Sequence, residues 1–101
     1  MSIEIESKLS DVLKLTSVTD YCLNGASSWF IDQGNGLEKI AAPEQVDESE
    51  FKTWVIQKIS NAGKTWDARY PYLDFIFENQ FRAHVIFPPL SPDRVLLSLR
   101  R

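Results

Sequence analysis

The segment 72–87 reads YLDFIFENQFRAHVIF, and its alternation of apolar and polar residues around a short polar centre decides the fold. This alternation predicts two antiparallel strands, 72–77 and 81–87, joined by a three-residue loop. One face of the hairpin can be buried only if Phe77 lies opposite Phe81, because a slip of one residue would expose the whole apolar set. We therefore expect a single register and one core-facing side.

The same register determines which polar residues are neighbours on the other face of the hairpin. It places Asp74 opposite His84 and Ile76 opposite Arg82. The loop suits a type I turn in which its last residue, Gln80, takes the left-handed conformation. The outward face of the hairpin therefore carries a carboxylate, an imidazole and a guanidinium group.

Another strand-like run follows the hairpin and closes the chain. Pro88 and Pro89 end the preceding strand, and the run 95–100 alternates Val, Leu and Leu with Leu, Ser and Arg. The sequence then stops at Arg101 without a polar tail. From this ending we expect that residues 1–101 form one domain of a larger protein.

The longest predicted helix covers 47–62, and both of its ends are marked. Its apolar stripe consists of Phe51, Trp54, Val55, Ile59 and Ala62. Asp47 can cap the first turn with its carboxylate, and Glu50 stands where a capping box places an acidic residue. Gly63 follows as the left-handed residue at which such helices end.

The first half of the chain predicts a short helix and a small meander. Apolar residues at helical spacing predict a helix over 7–15. Runs rich in β-branched and aromatic residues predict strands over 18–23, 28–32 and 37–41, separated by turns that contain Asn and Gly. Strands, one long helix and further strands indicate an α+β domain with a largely antiparallel sheet.

Length and composition limit the classes of function. The 101 residues, of which 44% are hydrophobic and 25% charged, fit a single core. A net charge of −3 argues against non-specific binding to nucleic acids, which needs a basic surface. The single cysteine, Cys22, excludes an internal disulfide, and without a secretory signal pattern we expect a cytoplasmic location.

Independent catalysis is not indicated by any pattern of residues. The sequence has no Gly-rich phosphate loop with Lys and Ser or Thr, and no pair of His residues for zinc. We interpret Cys22 as a small core residue rather than a nucleophile. We interpret His84 as the partner of Asp74 rather than as a general base.

Two further groups of residues have both a structural and a functional interpretation. The segment 66–72, WDARYPY, either covers the open end of the sheet, which is the favoured interpretation, or binds a planar ligand. Arg82 and Arg100 lie on late strands with the same parity, so they can converge on one face. There they either pair with Asp74 or Glu78, or present their guanidinium groups to an anion.

Six short motifs occur in order after Thr16. They are VTDYCLNG, WFIDQGNGLEKI, NAGKTWDARYP, LDF, NQFRAHVIFPPL and LLSLRR. This ordered set resembles the N-terminal domain of the type II/type IV secretion ATPase family, and most of all the motor ATPase of Tad (Flp) pilus assembly. The residues that match the family pattern are Asn24, Gly25, Gly36, Gly63, Lys64, Asp67, Pro71, Asp74, Arg82, Pro88, Pro89 and Ser98 to Arg100.

The resemblance implies a six-stranded, PAS-like domain that sits on a RecA-like motor domain within a homohexamer. ATP would bind between the two domains, and the groups that hold the phosphates and Mg²⁺ would lie beyond Arg101. Family arginines approach the triphosphate from the N-terminal side, and the matching residues here are Arg82 and Arg100, with Arg101 as an adjacent candidate.

The resemblance also carries expectations about activity, partners and location. The fragment alone would not hydrolyse ATP, whereas the full-length parent would be an ATPase. Expected partners are its own motor domain, neighbouring subunits and the platform proteins of an inner-membrane secretion or pilus system. The protein would be cytoplasmic and peripheral at that membrane.

Departures from the family pattern leave an alternative open. Ala68 stands where the family has Glu, Gln80 where the turn has Gly, and Phe75 where a small residue is usual. These departures fit a divergent member that keeps an assembly role with looser nucleotide contact. The alternative of another class is a free-standing PAS-like module that binds a protein or a small ligand through the segment 66–72.

Overall fold

A computed structural model of the chain describes residues 3–91 and 93–101. In chain order the elements are α1 (Ile3–Leu13), β1 (Asp20–Asn24), β2 (Ser28–Asp32), β3 (Leu37–Ile40), α2 (Glu48–Asn61), β4 (Tyr72–Phe77), β5 (Phe81–Ile86) and β6 (Leu96–Arg100). Within this part of the chain, neither helix has the length and apolar character needed to cross a membrane.

All six strands belong to one antiparallel sheet with the order β3-β2-β1-β6-β5-β4. The meander β1–β3 and the hairpin β4–β5 are joined through the pairing of β1 with β6. In that pairing Tyr21 faces Leu99 and Leu23 faces Leu97. The predicted α+β class is confirmed, with a six-stranded antiparallel sheet, one long helix and a short N-terminal helix.

The β4–β5 hairpin has the predicted register but a different turn. Phe77 lies opposite Phe81, as expected. The prediction that Gln80 is left-handed is wrong, because positive φ angles of 52° and 58° occur at Glu78 and Asn79 instead. Two consecutive left-handed residues match the twist of the flanking strands. The Gln80 N–H then donates to the carbonyl of Phe77 at 3.1 Å.

The long helix α2 begins and ends where the sequence predicts. The carboxylate of Asp47 accepts a hydrogen bond from the Glu50 N–H at 2.7 Å, which satisfies one of the free donors of the first turn. Gly63, with φ of 80°, follows the last turn as the left-handed stop residue. The cap at Asp47 and the stop at Gly63 therefore set the two ends of α2.

Other element boundaries differ from their predictions. The first helix spans Ile3–Leu13 rather than 7–15, because Ile5, Leu9 and Val12 together form its buried stripe. Strand β1 begins two residues later than predicted and ends one residue later. Strands β3 and β5 each end one residue earlier, and β6 begins one residue later. Backbone pairing with the neighbouring strands sets these limits, which alternation alone does not show.

One hydrophobic core lies between the helices and the inner face of the sheet. Its largest fully buried side chains are Trp29, Trp54, Tyr21, Phe51, Phe77, Phe81 and Phe87. Trp54 of α2 contacts the rings of Phe51 and Phe77, each with a centroid separation of 5.9 Å. The alternate residues of β1, β2, β5 and β6 are exposed or half-buried, and we call the face that they form the outer face.

A polar network around Lys58 ties α1, α2 and the β4–β5 turn together. The Lys58 ammonium lies 2.7 Å from the carboxylate of Glu6 and 2.8 Å from that of Glu78. The indole N–H of Trp54 donates to the same Glu6 carboxylate at 2.9 Å. Because both charges of the Glu6–Lys58 pair also make hydrogen bonds, the network satisfies groups that the helix packing partly removes from water.

We expect truncation of Trp54 to alanine to lower the free energy of unfolding by about 3–5 kcal/mol, the usual cost of removing a buried aromatic side chain. Trp54→Phe is the matched control, because it keeps a ring in the core and loses the hydrogen bond to Glu6. That variant should lose roughly 0.5–1.5 kcal/mol through the missing hydrogen bond. Urea unfolding measures both values, and an unchanged midpoint for Trp54→Ala would contradict this packing.

The Glu6–Lys58 pair makes stability depend on pH. Burial disfavours the charge on Glu6, but hydrogen bonds from Lys58 and Trp54 and the charge of Lys58 outweigh it, so the pKa of Glu6 is lowered. A lowered pKa stabilises the fold above the unfolded-state value, about 4.3 for Glu. That stabilisation is lost as the pH falls through the folded-state pKa.

Urea unfolding of the wild type and Glu6→Gln at pH 7 and about pH 3 tests this dependence. The wild type should be the more stable at pH 7, and the difference between the two proteins should shrink at the acidic pH. Glu4→Gln, a change in the same helix at an exposed position, should show no such trend. A wild-type advantage of equal size at both pH values would contradict the role of this pair.

Candidate functional site

The strand register aligns a row of charged side chains across the outer face of the sheet. From β5 to β2 this charged row consists of Arg82, Arg100, Asp20 and Asp32, and Ile76 of β4 lies beside Arg82 at its end. Arg82 and Arg100 are direct cross-strand neighbours, so their predicted convergence on one face is confirmed. Two positive charges therefore stand next to two negative charges in a single line.

A second row of polar residues runs parallel to the charged row. It consists of Asp74, His84, Ser98 and Cys22, and Phe30 of β2 lies beside Cys22 at its end. The predicted pair forms, with Nδ1 of His84 hydrogen-bonded to the carboxylate of Asp74.

The interpretation of Cys22 as a core residue is wrong. Cys22 is half-buried on the outer face, because its position in β1 places it beside Ser98 of β6. Burial and the charge of Asp20 raise the pKa of the Cys22 thiol, which disfavours its nucleophilic thiolate form.

The residues of these two rows on β1, β4, β5 and β6 line a groove with a volume of about 630 Å³. Arg82, His84 and Arg100 belong to its lining, as do Ala62 and Lys64, which follow α2 in the chain. The site interpretation from sequence omitted Lys64. The sequence places Lys64 immediately after Gly63, the residue at which α2 ends. Only the packing of α2 on the sheet shows that Lys64 lines this groove.

The two groove arginines differ in their partners. The guanidinium of Arg100 donates through Nε to the carboxylate of Asp20 at 3.1 Å. Arg82 makes no side-chain hydrogen bond or ion pair with any residue in 3–91 or 93–101. The carboxylates proposed as partners are already engaged, since Asp74 bonds His84 and Glu78 bonds Lys58. Arg82 is therefore a groove cation without an acidic partner in the described chain.

Like charges directly opposite each other on a sheet are unfavourable. An anion with several oxygen acceptors would relieve the repulsion between Arg82 and Arg100, because a planar guanidinium group matches carboxylate or phosphate oxygens. Lys64 adds a third positive charge at the rim of the same groove. The geometry therefore suits a multivalent oxyanion.

Arg101, the third candidate from sequence, lies outside this groove. Its side chain leaves β6 on the opposite side from Arg100 and donates to the backbone carbonyls of Val18, Leu13 and Leu15. The structure thus brings two of the three candidate arginines together and engages the other at the end of α1.

The aromatic segment 66–72 is packed in part against the core. The ring of Trp66 lies 5.6 Å from that of Phe87, and the ammonium of Lys52 lies 5.1 Å from the Trp66 ring centroid. The next aromatic residue, Tyr70, is exposed. This arrangement agrees with the interpretation that the segment covers the end of the sheet.

The described residues contain no candidate site for a metal ion. No group of three or more His, Cys, Asp or Glu side chains is arranged there to hold a metal ion. The carboxylates of the groove are instead engaged in pairs, Asp74 with His84 and Asp20 with Arg100. A Mg²⁺ ion that accompanied a nucleotide in this groove would therefore need ligands from another source.

No protein-family model matches the sequence, and no curated protein matches it. A similar solved structure is that of the VirB11 ATPase from the Brucella suis type IV secretion system in complex with sulphate. The similarity has a TM-score of 0.82 and 18% sequence identity, and it covers 94% of this chain. The chain has the fold of the VirB11 N-terminal domain. It spans 29% of the length of that VirB11 chain.

The ion pair between Arg100 and Asp20 should compete with an anion in the groove. We expect Asp20→Asn to strengthen the binding of inorganic tripolyphosphate to the 101-residue chain about twofold to fivefold, because an exposed pair is worth roughly 0.2–1 kcal/mol. Asp93→Asn is the matched control, since Asp93 pairs with Arg94 and does not line the groove. Calorimetric titration measures the effect, and equal affinities for the two variants would contradict this competition.

Proposed function

We propose that this chain is the N-terminal domain of a secretion or pilus-assembly ATPase and that Arg82 and Arg100 contact the phosphates of ATP. The observation that carries the proposal is the position of Arg82, which lacks a described acidic partner and lies directly opposite Arg100. The VirB11-like fold supports the proposal. The coverage of 29% of VirB11 leaves room for a motor domain that this chain would adjoin.

The chemical role of the arginines follows from their charge and shape. In phosphoryl transfer, negative charge is spread over the phosphate oxygens, and positioned cations lower the barrier by stabilising it. Each guanidinium group offers a planar fork of N–H donors that matches phosphate oxygens. Arg82 and Arg100 would hold and orient the phosphates from the side of this domain, with Lys64 at the rim.

The rest of the catalytic machinery would belong to the motor domain. A Gly-rich loop supplies backbone N–H groups that cradle phosphates, and residues 1–101 contain no such loop with Lys and Ser or Thr. When ATP and Mg²⁺ are bound, they supply the transferred phosphoryl group and its neutralising charge. This domain would contribute pocket closure and subunit contacts, and hydrolysis would need both domains.

The proposal extends to the assembly in which the domain works. The sequence motifs resemble most closely the Tad (Flp) pilus motor, and motors of this kind act as homohexamers at an inner-membrane platform. We therefore propose a cytoplasmic hexamer, peripheral at the inner membrane, whose groove is closed by the motor domain. Concave clefts at domain boundaries are common sites for nucleotides and other small ligands.

Replacing Arg82 or Arg100 with Ala in the full-length protein should lower steady-state ATP turnover about tenfold or more, as expected when charge-stabilising contacts to the phosphates are lost. The melting temperature should hardly change, because exposed arginines contribute roughly 0–1 kcal/mol to stability. The 101-residue chain alone should bind ATP weakly and should not hydrolyse it.

Arg69→Ala provides a matched control, because it removes an exposed arginine outside the groove. Its ATP turnover should equal that of the wild type. Normal turnover in both groove variants would remove Arg82 and Arg100 from the proposed site, whereas a large fall in the control would show that the effect is not specific to the groove.

A further inference from the structure

Arg101 makes more polar contacts than either groove arginine. Its Nε donates to the carbonyl of Val18 at 3.1 Å, and Nη2 reaches the carbonyls of Leu13 and Leu15 at 3.1 and 3.3 Å. The same Nη2 lies 2.9 Å from the hydroxyl of Tyr21. The guanidinium group therefore already has four oxygen partners within the domain.

These contacts satisfy the C-terminal end of α1. The last carbonyls of a helix have no partner within the helix, and a positive charge nearby stabilises them and the helix dipole. The last turn of α1 contains no basic residue, and Lys14 follows it directly in the chain. Arg101, 88 positions further along the chain than Leu13, donates directly to the carbonyl of that last helical residue.

The same residue is anchored beside both groove arginines. Its backbone N–H donates to the carbonyl of Thr19 at 3.0 Å, which extends the pairing between β6 and β1 past Arg100. Its guanidinium carbon lies 5.1 Å from the ring centroid of Phe81, the residue before Arg82. Arg101 thus contacts the strand ends from which both groove arginines project.

We propose that Arg101 is a positioning residue that holds Arg82 and Arg100 side by side and is not itself a phosphate ligand. The proposal rests on the proposed function of the groove. The guanidinium groups of Arg82 and Arg100 repel each other, so a rigid backbone is needed to keep them at a fixed distance. A binding site keeps its geometry only when further contacts hold in place the strands from which its side chains project.

The first experiment follows the arginine Nε–Hε signals of the isotope-labelled 101-residue chain by NMR while inorganic tripolyphosphate is added. The signals of Arg82 and Arg100 should shift with one common dissociation constant. The Arg101 signal should stay in place, because its Nε–H remains bonded to the Val18 carbonyl. A shift of the Arg101 signal with the same dissociation constant and comparable size would make it a ligand and overturn the proposal.

The second experiment compares Arg101→Met and Arg101→Lys with Arg69→Met, which removes one positive charge outside the groove. Arg101→Met should weaken tripolyphosphate binding about threefold to tenfold, because the supporting contacts of the site are lost. Arg101→Lys should recover part of this loss, since an ammonium group can donate to the same carbonyls. Arg69→Met should bind as the wild type does.

Tyr21→Phe is a further variant that changes no charge. It removes the hydroxyl that Arg101 contacts, and its ring remains in the core on the inner face. Its tripolyphosphate affinity should fall in the same direction as that of Arg101→Met, by a smaller factor. If Arg101→Met does not fold, Arg101→Lys and Tyr21→Phe decide the question, and wild-type affinity in both would overturn the proposal.

The outcomes also separate this inference from the proposed function. If Arg82 and Arg100 respond to tripolyphosphate and the Arg101 variants bind as the wild type does, only the positioning role fails. If neither Arg82 nor Arg100 responds in the wild type, the phosphate site itself fails, and the positioning role fails with it. A response of Arg82 and Arg100 that weakens in Arg101→Met and partly returns in Arg101→Lys supports both.

Discussion

The antiparallel pairing of β1 with β6 is the contact on which the rest of the structure depends. These strands lie near opposite ends of the chain, and they join a meander and a hairpin into one sheet. On the inner face the pairing contributes Tyr21 with Leu99 to the core, and on the outer face it places Asp20 beside Arg100. Without it, two separate three-stranded sheets would remain, and the single core that both halves now share would be divided.

The two faces of the sheet have different roles, because only the inner face packs against the helices. Trp54 and its neighbours supply the hydrophobic stabilisation, and the Lys58 network satisfies the polar groups at the edge of that core. The outer face contributes little to this packing. Its charged residues can therefore be arranged for binding without a large loss of stability.

The energies involved explain why the fold tolerates two adjacent arginines. Two unit charges about 4 Å apart in water interact by roughly 1 kcal/mol, and salt reduces this further. The pair between Arg100 and Asp20 offsets part of the repulsion. A buried aromatic residue of the core is worth several times as much, about 3–5 kcal/mol on truncation. The arrangement of Arg82 next to Arg100 is thus a small cost to the folded state.

Local sequence signals alone, namely alternation and helix-capping residues, were enough to predict the register of the β4–β5 hairpin, the ends of α2 and the common face of Arg82 and Arg100. Each of these follows from residues close together in the chain, or from parity along a strand. The turn geometry at Glu78 and Asn79 was not predicted, because a three-residue hairpin loop commonly has a type I turn in which only its last residue is left-handed. Only the tertiary structure decided that Asp20 engages Arg100, that Lys64 reaches the groove and that Arg101 binds the end of α1. The physical reason is that such contacts join residues up to 88 positions apart, as for Leu13 and Arg101, and depend on which elements become neighbours.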